Sequence, residues 1–449
     1  MEAASQAVAA VPAVPAAAPV AARRRSPALW VPSLYFAMGT PMTAVTVMSA
    51  VMYKNLGLSN AEIALYTGSM YLPWVIKPLW SPVVEMFRTK RFFVLAMELV
   101  MTVTFAGGAL ALGLPHWLTG TIALFWLTGF ASATQDIAAD GVYISSMSHR
   151  EQAAYVGIQG IFWNLGRIIA TGLLVSLTGV LHGRMGLSWA QAWTLIMGAL
   201  AVVMALSWMW HLRVLPTGGV AASAPQGLGD AVRTFKSAFA TFFAKKMIWR
   251  MIAVAYFYRF GEGLIDKIGP LFLLDRRALG GLELDNVQLG TINGTYGTIA
   301  FIVGALLGGL FSARKGLRAT FFVLLLALNV PHLTYLYLSQ ARPESLAAIA
   351  AAVTIEKFGY GFGSVGHMLY MMQQMAPGPY KTAHYAFATG VMGLCMMSTG
   401  MVSGVLQQAV GYQGFFVVVL AASVLPLVVA WKAPFPVDDE REEPARSSR

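Results

Sequence analysis

Read for polarity alone, the chain alternates long apolar runs with short polar turns. Twelve runs reach the roughly 20 residues that a helix needs to cross a bilayer. They lie near 29–53, 62–84, 92–113, 119–146, 153–180, 189–212, 247–274, 287–311, 317–339, 345–375, 382–408 and 412–432. The exception to the short turns is 213–246, where LPTGGVAASAPQGLGD precedes a basic amphipathic stretch. This linker divides the runs into six before (29–212) and six after (247–432), with tails at 1–28 and 433–449. The pattern predicts an all-α membrane protein of twelve transmembrane helices.

Composition agrees. The chain has 449 residues, 57% hydrophobic and 11% charged, with a mean hydropathy of +0.63. A soluble chain would carry about 25% charged residues. Cys395 is the only cysteine, which excludes an intrachain disulfide and a thiolate metal cluster. The first 25 residues are Ala/Val/Pro-rich and low in complexity. Their basic triplet, Arg23 to Arg25, follows the apolar stretch rather than preceding it, unlike a signal peptide.

The net charge of +11 first suggests an anionic partner, but its distribution has a simpler cause. Of 31 Lys and Arg, 21 fall in loops and tails on the side of the termini. Opposite loops hold Lys54, Arg184, Arg276, Arg277 and Arg342; the runs themselves hold Lys77, Arg167, Arg259, Lys267 and Lys357. By the positive-inside rule both termini face the cytoplasm, and no nucleic acid is needed to explain the charge.

The halves echo each other. SPVVEMFRTKR (Ser81 to Arg91) follows the second run and GLFSARKGLR (Gly309 to Arg318) the eighth. The latter resembles the loop pattern G-x-x-x-D-R-x-G-R-[RK] of the major facilitator superfamily at Gly309, Arg314, Gly316 and Arg318, departing at Ala313 and Leu317. The former keeps an acid, Glu85, and bases Arg88, Lys90 and Arg91. Twelve runs, a central linker and this repeat resemble the major facilitator fold, which implies two six-helix bundles with a substrate site near the midplane between them.

A charge at a helix centre costs about 2.5–3.5 kcal/mol on insertion scales, so such charges pair, line a wet cavity or carry a proton. Six acids lie within the runs: Glu98, Asp136, Asp140, Glu262, Asp266 and Glu356. Asp136 and Asp140 share one helix face at i, i+4. Asp136 is either a cavity group or the partner of Lys77 or Arg167; Asp140 is expected to clasp the turn Arg88–Arg91 or Arg150 as a gate. Arg167, with Asn164 on its face, suits a carboxylate, which is either the ligand's or that of Asp136. Arg259, Glu262 and Asp266 form a stripe, read either as an ion-pair ladder or as a titrating Glu262 held by Arg259. Gly261 and Gly263 are expected to loosen that helix. Glu356 and Lys357, adjacent, diverge by about 100° and are expected not to serve one face. The glycines at 359, 361, 363 and 366 read as close packing, and His367 as a packed polar residue. Trp80, Trp126, Trp163, Tyr258 and Tyr360 lie near these charges; they suit sugar stacking, or the aromatic belt of any membrane protein.

Four motifs together resemble the AmpG-type muropeptide permeases and the peptide/acetyl-coenzyme A transporters: Lys77-Pro78-Leu79-Trp80-Ser81-Pro82, Gln135-Asp136-Ile137 with Asp140, Tyr258-Arg259-Phe260-Gly261-Glu262, and Glu356 with its glycine run. The likeness spans about 30–432. Departures at Glu85-Met86, Gly141-Val142-Tyr143, Glu262 and His384-Tyr385 leave the exact substrate open. The resemblance implies proton-driven import of a cell-wall sugar or sugar-peptide of the GlcNAc–anhydroMurNAc type across a bacterial inner membrane. It places Lys77, Trp80, Gln135, Asn164, Arg167, Tyr258, Arg259, Glu356 and Tyr360 at the substrate cavity and Asp136 and Glu262 at proton coupling. Glu85, Arg88, Arg91, Asp140, Arg314 and Arg318 become gate or structural residues. Alternatives are a smaller sugar, an acyl-coenzyme A, or a membrane sensor that binds cell-wall fragments without flux. Neither H-E-x-x-H nor G-x-S-x-G occurs, so no enzyme, cofactor or metal is expected. A monomer is the default for such a fold.

Overall fold

The computed structural model describes residues 25–81, 84, 88–218 and 227–437. Glu85, Pro82, the proximal tail and the acidic stretch Asp438–Glu443 therefore lie outside the described residues. Within them the chain is helical, without strands. The spanning segments are α1 (Pro27–Asn55), α2 (60–79), α3 (Lys90–Ala111), α4 (Trp117–Ser146), α5 (149–183) and α6 (Trp189–Val214). After a linker helix (Leu228–Phe243) come α7 (248–274), α8 (Asn286–Lys315), α9 (Leu317–Ala341), α10 (346–375), α11 (381–410) and α12 (412–431).

Local chemistry sets the boundaries. Ser59, Ser148, Ser188 and Asp285 each form a reciprocal capping box that satisfies the orphan N–H groups at a helix start. Pro331 interrupts α9, since it lacks the N–H that would continue the ladder. Gly411 separates α11 from α12 at φ +69°, a conformation that costs glycine little. α7 breaks at Tyr258–Arg259, where Arg259 has left the helical region (φ −109°, ψ 20°). Seven stretches are long and apolar enough to cross a membrane, the last holding both α11 and α12. The four segments that fall short are α2, α4, α7 and α10, which are broken or carry the intramembrane charges.

α1 packs on α4 and α5, and α3 on α4 and α6; in the second half α10 packs on α8 and α9, and α7 on α11. The halves meet along two seams, α2 against α11 and α5 against α8. Both run backbone to backbone: a Cβ on Gly68 would lie 2.8 Å from the Met401 N, and one on Gly290 2.5 Å from the Gly172 O. Facing π-helical turns (Ile169–Leu174 and Gly290–Tyr296) build the second seam. At the face far from the termini the seams are locked. Lys54 pairs with Asp275 at 2.6 Å, Asn60 bonds Gln407 and Tyr412 at 2.8 Å each, and Asn286 donates to Asn55 at 2.8 Å.

Candidate functional site

Between the halves, toward the terminal face, α2 and α4 supply the first charged group. Lys77 is ion-paired with Asp136, and both side chains keep partial exposure, 25% and 16%. Asp140 lies one turn further on, yet it does not clasp the basic turn. It accepts a 2.8 Å bond from the Tyr35 hydroxyl of α1. Among the described residues, the bases expected to reach it are engaged elsewhere: Arg91 bonds the Leu212 carbonyl, and Arg88 stands over Phe92. Trp80 donates to Thr134 of α4 at 3.2 Å. Arg314 is exposed in the last turn of α8, and Arg318 lies over Phe435.

Gln135 precedes Asp136 and so points some 100° away. It enters the core of the first half rather than the cavity and donates to Glu98 at 3.0 Å. Glu98 also meets His211 Nδ1 at 2.7 Å, and His211 Nε2 meets Ser33 at 2.9 Å. All of Glu98, Gln135 and His211 are fully buried.

Two arginines have no carboxylate partner among the described residues, and the first reaches across to the other half. Arg167 of α5 sits over the Phe301 ring of α8 at 5.6 Å. Arg259, at the α7 break, lies over Tyr360 at 5.4 Å and donates to its hydroxyl at 3.3 Å. Asn164 spends its amide on the Gly160 carbonyl of its own helix, at 2.9 Å. Tyr258 turns away, buried, donating to Gly363 O at 2.9 Å and stacked on His367.

The expected Arg259–Glu262 pairing does not form, because the α7 break rotates Arg259 off the stripe. Glu262 instead faces His332 of α9 and Lys357 of α10, each at 3.5 Å. Lys357 also reaches back to its neighbour Glu356 at 3.0 Å. The two backbones diverge as expected, but the four-carbon lysine stem brings the charges together. Glycines serve approach here rather than looseness: a Cβ on Gly261 would lie 2.8 Å from Ser423 Oγ and 2.9 Å from the His332 ring. The remaining buried base, Lys267, donates to the Thr46 carbonyl in the π-turn of α1, lies over the Tyr71 ring and comes within 3.6 Å of Asp266.

His332, the Glu98–His211 pair and the Lys54–Asp275 lock carried no sequence signal of their own. Each contact joins residues of helices distant in the chain. A cavity of about 620 Å³ opens on the far face, lined by Lys54, Asn55, His182, Trp189, Asp275 and Asn286 among others. Its lining includes the residues of the far-face lock.

Comparison places this arrangement among known transporters. Residues 33–404 match the profile of the Major Facilitator Superfamily. The anhydromuropeptide permease of Escherichia coli (strain K12) is 25% identical over 405 residues, covering 88% of this chain and 77% of that protein. A putative transporter AmpG 4 of Rickettsia conorii (strain ATCC VR-613 / Malish 7) is 23% identical over 408 residues, 86% of this chain and 92% of that one. Among solved structures, a bacterial homologue of the human lysosomal transporter Spinster, inward-facing and unoccupied, superposes with a TM-score of 0.71 at 14% identity, covering 92% and 96%. A D-xylose–proton symporter superposes at 0.66 and 13% identity, covering 91% and 97%.

Proposed function

The chain belongs to the major facilitator superfamily, and from that premise we propose that it is a proton-coupled symporter importing a cell-wall-derived sugar or muropeptide of the GlcNAc–anhydroMurNAc type. Its two halves rock about the central cavity in alternating access. The terminal face is the cytoplasmic one in a bacterial inner membrane, since it carries most Lys and Arg. With the far face locked, the conformation is then inward-facing.

The observation that carries the reading is the pair Arg167 and Arg259. Each guanidinium lies over an aromatic ring, and neither meets a carboxylate among the described residues. Such a group at the midplane, where charge is costly, suits a ligand bearing carboxylate or amide oxygens. The Phe301 and Tyr360 rings beside them suit a sugar face. The likeness to an anhydromuropeptide permease over most of the chain supports that ligand class. In this reading Lys77, Trp80, Arg167, Arg259 and Tyr360 meet the substrate, and Asp136 and Glu262 are the coupling candidates.

The test is uptake of labelled GlcNAc–anhydroMurNAc into proteoliposomes, with and without an inward proton gradient. Accumulation that collapses with an uncoupler is the expected result. Absence of flux by folded protein overturns the substrate class, and free GlcNAc and then an acyl-coenzyme A become the next probes. Binding without flux would identify a sensor instead.

A further inference from the structure

We propose that the buried Glu262–His332–Glu356–Lys357 cluster is where the transported proton is held, shared between the Glu262 carboxylate and His332 Nε2. This rests on the proton-symport reading above and fixes its coupling site in the α7–α9–α10 core rather than at Asp136.

The hydrogen-bond geometry favours a proton there. Ser423 donates its hydroxyl hydrogen to the Val419 carbonyl at 2.9 Å. It therefore accepts from His332, whose Nδ1 lies 3.1 Å away. With Nδ1 carrying the hydrogen, a neutral His332 presents the lone pair of Nε2 to Glu262 Oε2, 3.5 Å distant. Glu262 Oε2 and His332 Nε2 are buried without a hydrogen-bond partner, while Glu356 is held by Lys357 and lies within hydrogen-bonding reach of Glu262. Two fully buried acceptors facing each other repel, and one proton between them turns the contact into a hydrogen bond.

Charge points the same way. Two carboxylates share one fixed cation, the Lys357 ammonium, at 3.0 and 3.5 Å. One negative charge remains to be cancelled by what enters. The atoms of Glu262, His332 and Glu356 come within 4.8 Å of one another, but the ammonium stands among them and disfavours a metal cation. The other titratable groups around the cluster are Asp266 and Arg259 of α7, Tyr335 of α9 and Tyr360 of α10. α8 brings Gly297 against the Lys357 stem, α11 brings Thr399 against Gly263, and α12 brings Ser423.

The experiment uses the full chain in proteoliposomes with labelled GlcNAc–anhydroMurNAc, comparing wild type, E262Q, H332N, D136N and E98Q. With the interior one pH unit more alkaline and no membrane potential, one proton moving with this monoanionic disaccharide supports about tenfold accumulation, because about 1.36 kcal/mol is tenfold. E262Q and H332N are expected to fall to onefold while retaining gradient-free exchange, and E98Q to keep its accumulation. A coupled wild type with E262Q and H332N still fully coupled overturns the assignment alone. A wild type that accumulates the probe without proton movement, or with sodium instead, overturns the symport reading and the assignment together. Should E262Q fail to fold, infrared spectra of wild type and H332N decide. A carboxylic-acid C=O band at neutral pH that shifts in H332N supports the shared proton, and no His332-sensitive band overturns it.

Discussion

Glu98 in α3 and Glu262 in α7 are both carboxylates with no exposure, each beside a buried histidine, one in each half of the molecule. Around Glu98 the groups complement one another: His211 and Gln135 both converge on one oxygen at 2.7 and 3.0 Å, and Ser33 occupies the far nitrogen of the histidine. Around Glu262 they do not. Where α4 brings the amide donor Gln135 to Glu98, α10 brings a second acid, Glu356, and the base Lys357 to Glu262. Neither core is fully closed, since Glu98 Oε2 and Gln135 Oε1 also lack partners, but a carboxylate in place of an amide leaves the Glu262 core with one donor fewer and one more charge. Burial is therefore not what separates a structural acid from a coupling acid. The balance of donors and acceptors within the same burial does that.

The comparison breaks most decisively through His211. His211→Ala leaves Glu98 buried without its main partner, and unfolding stability should fall by about 3–5 kcal/mol. Exchange of substrate per folded molecule should hold. H332N should lose less stability, because Lys357 still faces Glu262, yet it should lose coupling. Thermal denaturation in detergent alongside vesicle flux checks both, and the reverse ranking would erase the distinction between the two clusters.

A smaller effect tests whether the halves meet as rigid bodies. A Cβ at Gly294 would lie 2.6 Å from the Gly172 Cα, backbone that cannot give way. G294A should destabilise the closed far face by about 1–3 kcal/mol and leave both buried clusters intact. Spin labels at the far ends of α5 and α8 should report a longer distance. An unchanged distance would mean that the seam does not set the closed state.

D275N should weaken the same closure by about 1 kcal/mol. It loses the ionic contact to Lys54 while Asn60 and Tyr412 remain at hand. Labels on the far ends of α1 and α7 read it out, and no shift would assign the pair to packing alone.

The smallest effect comes from an exposed acid, which calibrates the two buried ones. Glu62 closes the capping box with Ser59, whose hydroxyl and backbone N–H both donate to its carboxylate. S59A should cost about 0.5–1 kcal/mol, as measured by thermal melts, and an unchanged melting temperature would contradict the cap.

Much of the fold was legible in the chain because bilayer thickness imposes one length on every span. That length exposes twelve runs, and the in-membrane charges single out α2, α3, α4, α5, α7 and α10 as the helices that carry them. The 3.6-residue period correctly put Asp136 and Asp140 on one face. It equally implied that Gln135 would leave that face, as it does. Partners were another matter. Asp140 found Tyr35 rather than a basic turn, and Glu262 found His332 and Lys357 rather than Arg259.

The sequence by itself determined which residues lie in the membrane and which share a helix face, because rise and period are properties of one helix. Only the tertiary structure decided what each face meets. It turned Arg259 away by breaking α7, curled Lys357 onto Glu356, and set His332 against Glu262 through the approach that Gly261 permits. Those outcomes depend on side-chain reach and on backbone contact between helices far apart in the chain. No local period encodes either one.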